Sequence, residues 1–176
     1  MQYLDKDEIR RVLAVAYGHN RRNHLMMVIS LWHGLRVSEL VNLRGTSFTA
    51  DGMLIVARLK GSNQTSQPIH RDDNPIFDES PVLILAAQKQ TLRLFELSPR
   101  HLNRLMVKYC TLANVHPSKA HWHVWKHSTG MLLWDTTQNL GQIQSFLGHK
   151  SASSTLCYLY EADSRKASNA LAAVRF

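Results

Sequence analysis

Cysteine is scarce in this sequence: only Cys110 and Cys157 occur. Neither stands at a metal-ligand spacing and no disulfide framework can be drawn from two, which suits a reducing cytoplasm. Acidic residues are also in short supply. Thirteen Asp and Glu face 21 Lys and Arg, for a formal net charge of +8. Such a surplus favours polyanionic partners, nucleic acid first and anionic membrane second, although a merely soluble basic domain would look the same. No apolar run approaches the roughly 18 residues needed to span a bilayer. The first residues, Met1 to Glu8, have neither a basic n-region nor an apolar h-region and do not read as a signal peptide. Internal repeats and low-complexity segments are missing too.

What is present fits one folded domain. A chain of 176 residues with 44% hydrophobic content is long enough for a real core and short for two domains. The pattern predicts a mainly α protein with a small antiparallel β-sheet. Asp5 and Glu8 form a capping-box signature ahead of Ile9, Val12, Leu13 and Ala16 at helical spacing, with Gly18 as the stop. A helix over about 22–32 is apolar enough to be central, and a short one follows Gly34 over 37–43. Residues 53–59 and 65–69 read as paired strands around the turn Lys60-Gly61-Ser62-Asn63. Ser80-Pro81 and Ser98-Pro99 are helix starts. Residues 92–95 suggest a third short strand, and helices are expected near 123–135, 138–147, 151–160 and 164–173.

The chemistry-bearing residues are few. Arg36 follows a helix-ending glycine, and its guanidinium suits two phosphate oxygens at once, though it could equally pair with Glu39 at the surface. His123 and Lys126 share a helix face, either as phosphate contacts or as a solvated basic face. Lys60 sits on a mobile turn from which an ammonium can donate a proton; most turn lysines do nothing. His149 follows Gly148, a helix C-cap, which puts the ring at a junction rather than in a packed core. Tyr158 is a possible nucleophile that needs nearby cations, because a free phenol has a pKa of about 10. The alternative is a core tyrosine on an amphipathic helix: Tyr160 stands about 200° round the helix, so at most one of the two faces a site. His121-x-His123 and His123-xxx-His127 have metal-ligand spacing, but the glutamate of a His-Glu-x-x-His motif is missing, since position 124 is Val.

Taken together, these residues resemble the tyrosine recombinase (phage integrase) family, specifically its catalytic domain, over nearly the whole chain. Gly34-Leu35-Arg36-Val37-Ser38-Glu39-Leu40 resembles the first arginine box. His123-Val124-Trp125-Lys126 is similar to the His-x-x-Arg box, Leu147-Gly148-His149 to the second-histidine box, and Lys60 to the β-hairpin lysine. Tyr158 stands where the nucleophile stands, behind the run Ser153-Ser154-Thr155. The resemblance implies DNA strand cleavage and rejoining through a 3′-phosphotyrosyl intermediate, with Arg36, His123, Lys126 and His149 on the phosphate and Lys60 protonating the leaving oxygen. It implies no metal or nucleotide cofactor, double-stranded DNA as partner, dimers or tetramers on DNA, and a last helix that docks on a neighbouring protomer. Two departures stand out. Lysine replaces arginine at position 126, giving up the bidentate fork. The resemblance also covers no N-terminal DNA-clamping domain, as in small fimbrial-switch recombinases or an excised fragment. A recombinase-derived DNA-binding protein and a type IB topoisomerase-like enzyme are the rival readings.

Overall fold

The computed structural model describes residues 1–58 and 62–174. Lys60, at the tip of the predicted hairpin, therefore lies outside the described residues. Eight α-helices and one two-stranded sheet are found among the described residues: α1 Lys6–His19, α2 Arg21–His33, α3 Val37–Asn42, β1 Met53–Val56, β2 Thr65–Pro68, α4 Pro81–Lys89, α5 Pro99–Leu112, α6 Val124–Thr137, α7 Leu140–Leu147 and α8 Ser153–Ala172. No described helix is long and apolar enough to cross a membrane.

Helix α2 is the pillar of the fold. Every residue from Asn23 to Leu31 is buried, because α1 packs on one side and α6 on the other. A helix enclosed on both sides needs apolar residues all round rather than one stripe. Helix α6 follows the same rule, with Trp122 and Trp125 fully enclosed at its start. Helix α1 is one-sided by contrast: Ile9, Val12, Leu13 and Ala16 face inward, and the Asp5–Glu8 capping box forms with bonds of 2.8 and 2.9 Å. Helices α6, α7 and α8 pack on one another around a second apolar cluster of Met131, Trp134, Ile143, Leu147, Tyr158 and Ala162.

The sheet is a simple antiparallel pair, with Met53 opposite Pro68 and Val56 opposite Thr65. Buried polar groups tie it to the helices. His33 Nδ1 meets Gln67 Oε1 at 2.7 Å and His33 Nε2 meets Glu79 Oε1 at 2.9 Å. Gln67 in turn donates to the carbonyl of Phe146 at 2.7 Å. Strand β2 is thus fastened to the end of α2 and to the end of α7.

Three expectations need correction. Residues 92–95 form no strand; a single bridge joins Arg44 and Arg93. The chain turns into a 3-10 turn at Gly45–Ser47 directly after Arg44, so the ladder cannot extend. Gly18 does not end α1, which runs on to His19; Asn20 ends it and also caps α2, its side chain accepting from Asn23 N–H at 3.0 Å. The two C-terminal helices are one helix of 20 residues. Residues 161–163 contain no glycine or proline, so nothing interrupts the backbone hydrogen bonds there.

Candidate active site

The site is assembled where the ends of α2, α6, α7 and the start of α8 meet. Gly34 ends α2 in the left-handed conformation at φ 56°. A side chain there would be strained, and a β-carbon would lie 2.5 Å from Leu147 Cδ2. The turn therefore brings the chain of the first arginine against the last residue of α7.

Arg36 follows at the N-cap of α3. Its Nη1 donates to Glu39 Oε1 and its backbone N–H to Glu39 Oε2, both at 2.9 Å. Glu39 is fully enclosed, whereas the Arg36 side chain is 29% exposed. A second guanidinium reaches the same carboxylate from inside: Arg58 Nη1 donates to Glu39 Oε2 at 3.0 Å, and Arg58 Nη2 to the carbonyl of His33 at 2.8 Å. Burial opposes ionisation of Glu39, but Arg58, the Arg36 N–H and the Arg36 guanidinium outweigh it and hold the carboxyl below its usual range. The result is a fixed anion that aims Arg36 outward.

Helix α6 supplies the next groups. His123 is its N-cap residue and is exposed. Lys126, one turn on, is buried, with 2% exposure, and its Nζ donates to the carbonyl of Leu147 at 3.2 Å. It is not part of a solvated basic face. Burial, then Arg36 and Arg58, push its pKa down to about 7 against the pull of Glu39. Burial first, then Arg36 and Lys126, also lower His123.

His149 follows Gly148, a left-handed C-cap at φ 67°. Its ring is buried rather than open, and Nδ1 meets Thr155 Oγ1 at 3.0 Å. Burial, then Lys126 and Arg36, bring it down to about 4. The hairpin closes over this corner. Asn63 N–H donates to the carbonyl of Gly148 at 2.9 Å, and a β-carbon at Gly148 would fall 2.5 Å from the Asn63 carbonyl oxygen. Arg58 and Asn63, on either side of Lys60 in sequence, thus both touch the site.

Tyr158 sits on the first half of α8 with 1% exposure, while Tyr160 is 65% exposed and points away. Burial raises the phenol pKa, and Arg36 pulls it back toward ionisation. A line of rings leads to it: His123 and His127 centroids are 4.6 Å apart, and His127 and Tyr158 6.2 Å. Arg36 therefore acts electrostatically on His123, Lys126, His149 and Tyr158 alike.

Of the six residues picked from the sequence, the structure brings five together, and Lys60 lies outside the described residues. Sequence reasoning missed Arg58, which carries no motif of its own. It read His127 only as half of a ligand spacing; that ring instead fills the gap between His123 and Tyr158. The His123 and His127 rings meet edge to face at 87°, and no group of three potential metal ligands converges among the described residues.

Chemically, the cluster is a seat for an oxyanion. Guanidinium, ammonium and imidazole groups converge, the one carboxylate among them is engaged by two arginines, and a hydroxyl lies alongside.

The model of the phage integrase family matches residues 2–165. The tyrosine recombinase XerA of Thermococcus onnurineus is 28% identical over 169 residues, covering 88% of this chain and 56% of its own length. The tyrosine recombinase XerD of Caulobacter vibrioides is 26% identical, covering 90% and 57%. The chain thus spans just over half the length of these relatives. Among solved structures, the XerA recombinase crystal structure superposes with a TM-score of 0.73 at 21% identity, covering all of this chain and 66% of that one. The XerH site-specific recombinase bound to its difH substrate gives 0.76 at 18% identity, covering 96% and 52%.

Proposed function

The chain belongs to the phage integrase family, and on that premise we propose that residues 1–176 form a catalytic domain that cuts and rejoins double-stranded DNA at specific sites. The observation that carries this reading is the gathering of Arg36, Lys126, His149 and Tyr158 where α2, α6, α7 and α8 meet, with Arg36 held by Glu39, Lys126 by the Leu147 carbonyl and His149 by Thr155. Phosphoryl transfer spreads negative charge over non-bridging oxygens, and fixed cations aimed there lower the barrier. Tyr158 Oη gives up its proton to solvent as it attacks the phosphorus, the bond to the 5′ oxygen breaks, and a 3′-phosphotyrosyl link forms. Lys60 delivers the proton to the departing 5′ oxygen. A 5′-hydroxyl from a partner strand reverses the step, and no outside energy source is needed because the covalent link conserves the bond. Strand exchange requires several active sites, so the working form is a dimer or tetramer on DNA.

The resting arrangement is not yet ready for attack. The phenol is enclosed and burial raises its pKa, so phosphate docking has to expose the hydroxyl or bring more positive charge to it. This burial also favours a second reading, a DNA-binding protein that no longer cuts. The two separate on a nicked suicide duplex carrying a cognate site, once one is identified by binding. A protein–DNA adduct that survives denaturation, is lost in Tyr158→Phe and persists in Tyr160→Phe is expected. Tight binding to that duplex without an adduct would establish the second reading.

A further inference from the structure

Lys126 differs from the other fixed cations of the site in one respect: Arg36 and Arg58 cannot lose their charge near neutral pH, and an amine can. Its surroundings are poor in acceptors. The carbonyl of Leu147, at the C-terminal end of α7, takes one of its three possible bonds. No carboxylate lies within ion-pair distance of Nζ among the described residues. Glu39, the nearby anion, already binds Arg36 with one oxygen and Arg58 with the other.

The groups that face Lys126 come from every element around it. Arg36 and Glu39 belong to the start of α3 and Arg58 to the end of the first strand. His123 and His127 lie on α6, and His149 lies beyond α7. Arginine outnumbers carboxylate here, and the histidines carry no negative charge in either form. Among the described residues, an ammonium at this position thus has no carboxylate bonded to it, and Glu39 acts on it only from a distance.

We propose that Lys126 is a proton-coupled phosphate clamp: its ammonium form is completed only when a DNA phosphate docks, so that substrate binding draws protons from solvent, up to one per site. The balance is simple. The neutral amine accepts a proton released by water or buffer, and the resulting ammonium donates to a non-bridging phosphate oxygen. An arginine at position 126 would be charged before and after binding and would have no such coupling. The inference rests on the reading that this cluster seats a phosphate. Its physical basis is the mismatch between three donors and one acceptor beside two arginines, and the depressed pKa of Lys126 agrees with it.

The test is carbon-13 NMR of lysine ε-methylenes in the full chain, with inorganic sulfate as the probe. Sulfate offers the same tetrahedral set of oxygens, with one more negative charge than a phosphodiester, and does not titrate in the range of interest. The Lys126 signal is identified by its loss in Lys126→Arg, or in Lys126→Met if the arginine variant does not fold. Occupancy is followed at the Arg36 Nε–H. Without sulfate, the Lys126 midpoint should lie near neutrality; at saturation it should rise by about one pH unit or more, a tenfold gain in proton affinity. Three outcomes overturn the proposal: a free midpoint in the ordinary lysine range, a midpoint unmoved while sulfate occupies Arg36, or no sulfate binding at the cluster. The adduct assay separates this from the functional reading. Adduct formation with a Lys126 that never titrates would sink the clamp alone. Coupled protonation without any adduct would leave the clamp standing and remove the recombinase reading.

Discussion

The ring of Tyr158 lies on the bare backbone of Gly130. A β-carbon at position 130 would stand 2.2 Å from Tyr158 Cζ and 2.7 Å from its hydroxyl oxygen. Helix α6 therefore offers a flat berth to the residue proposed as nucleophile, one turn beyond Lys126. Gly130→Ala should displace the phenol while leaving the cations in place. Overpacking of this kind costs about 1–3 kcal/mol. Adduct yield on the suicide duplex is expected to change at least tenfold, with DNA affinity within a factor of about two. An unchanged yield would show that the berth does not position the reacting hydroxyl.

Glu39 should matter for the stability of the domain as well as for the site. Glu39→Gln leaves the enclosed Arg58 guanidinium without its counter-charge, and breaking a buried pair costs on the order of 3–5 kcal/mol. Urea unfolding is expected to show a midpoint lowered accordingly. If the variant is as stable as the parent, the pair is not holding the first arginine box in place.

These residues show where sequence reasoning reached and where it stopped. Arg36, Lys126, His149 and Tyr158 were legible because each sits in a local pattern whose residue types have a chemical meaning together. Gly130 and Arg58 were not. Gly130 is an ordinary mid-helix glycine until the ring of a residue 28 positions later is laid on it. Arg58 is a lone basic residue after a strand until its partners on two other elements are known. The unity of α8 was missed for a different reason: a tight cluster of polar residues at 161–166 looks like a break, but polarity alone does not end a helix. The strand expected at 92–95 failed because its neighbour turned away after one residue.

The histidines should make the fold acid-sensitive. His149 and His127 are held near 4 in the folded chain, chiefly by burial, against about 6.5 when unfolded. Between those values the unfolded state binds more protons, so stability falls as pH drops from about 6.5 to 4 and levels below. His149 alone accounts for about 3–4 kcal/mol at most, since each pKa unit is worth about 1.4 kcal/mol. Lys126 extends the trend upward: its folded pKa is also depressed, so its contribution increases as pH rises from about 7 through the ordinary lysine range. Denaturant midpoints measured at pH 4, 5.5 and 7 should climb, and His149→Gln should flatten the acid part of the curve. A flat parent curve would show that these rings are not buried neutral.

DNA binding should weaken steeply with salt, as the net charge of +8 suggests. Arg36→Ala is expected to reduce the slope of log affinity against log salt by about 0.9, the contribution of one phosphate contact to duplex DNA. An unchanged slope would mean that Arg36 does not touch a phosphate in the bound state.

Helix α8 carries Tyr158 near its start and runs on to Ala172 without glycine or proline. At about 1.5 Å per residue, the far end stands about 21 Å beyond the tyrosine. Most of that outer half is exposed, although Arg165 still donates to Asp135 of α6 at 2.8 Å. A rod with no hinge does not absorb a load where it is applied. A push or pull on its free end is transmitted inward past the Arg165–Asp135 contact to the berth on Gly130. The helix is in that sense a tiller: whatever takes hold of the exposed arm steers the phenol at the other end.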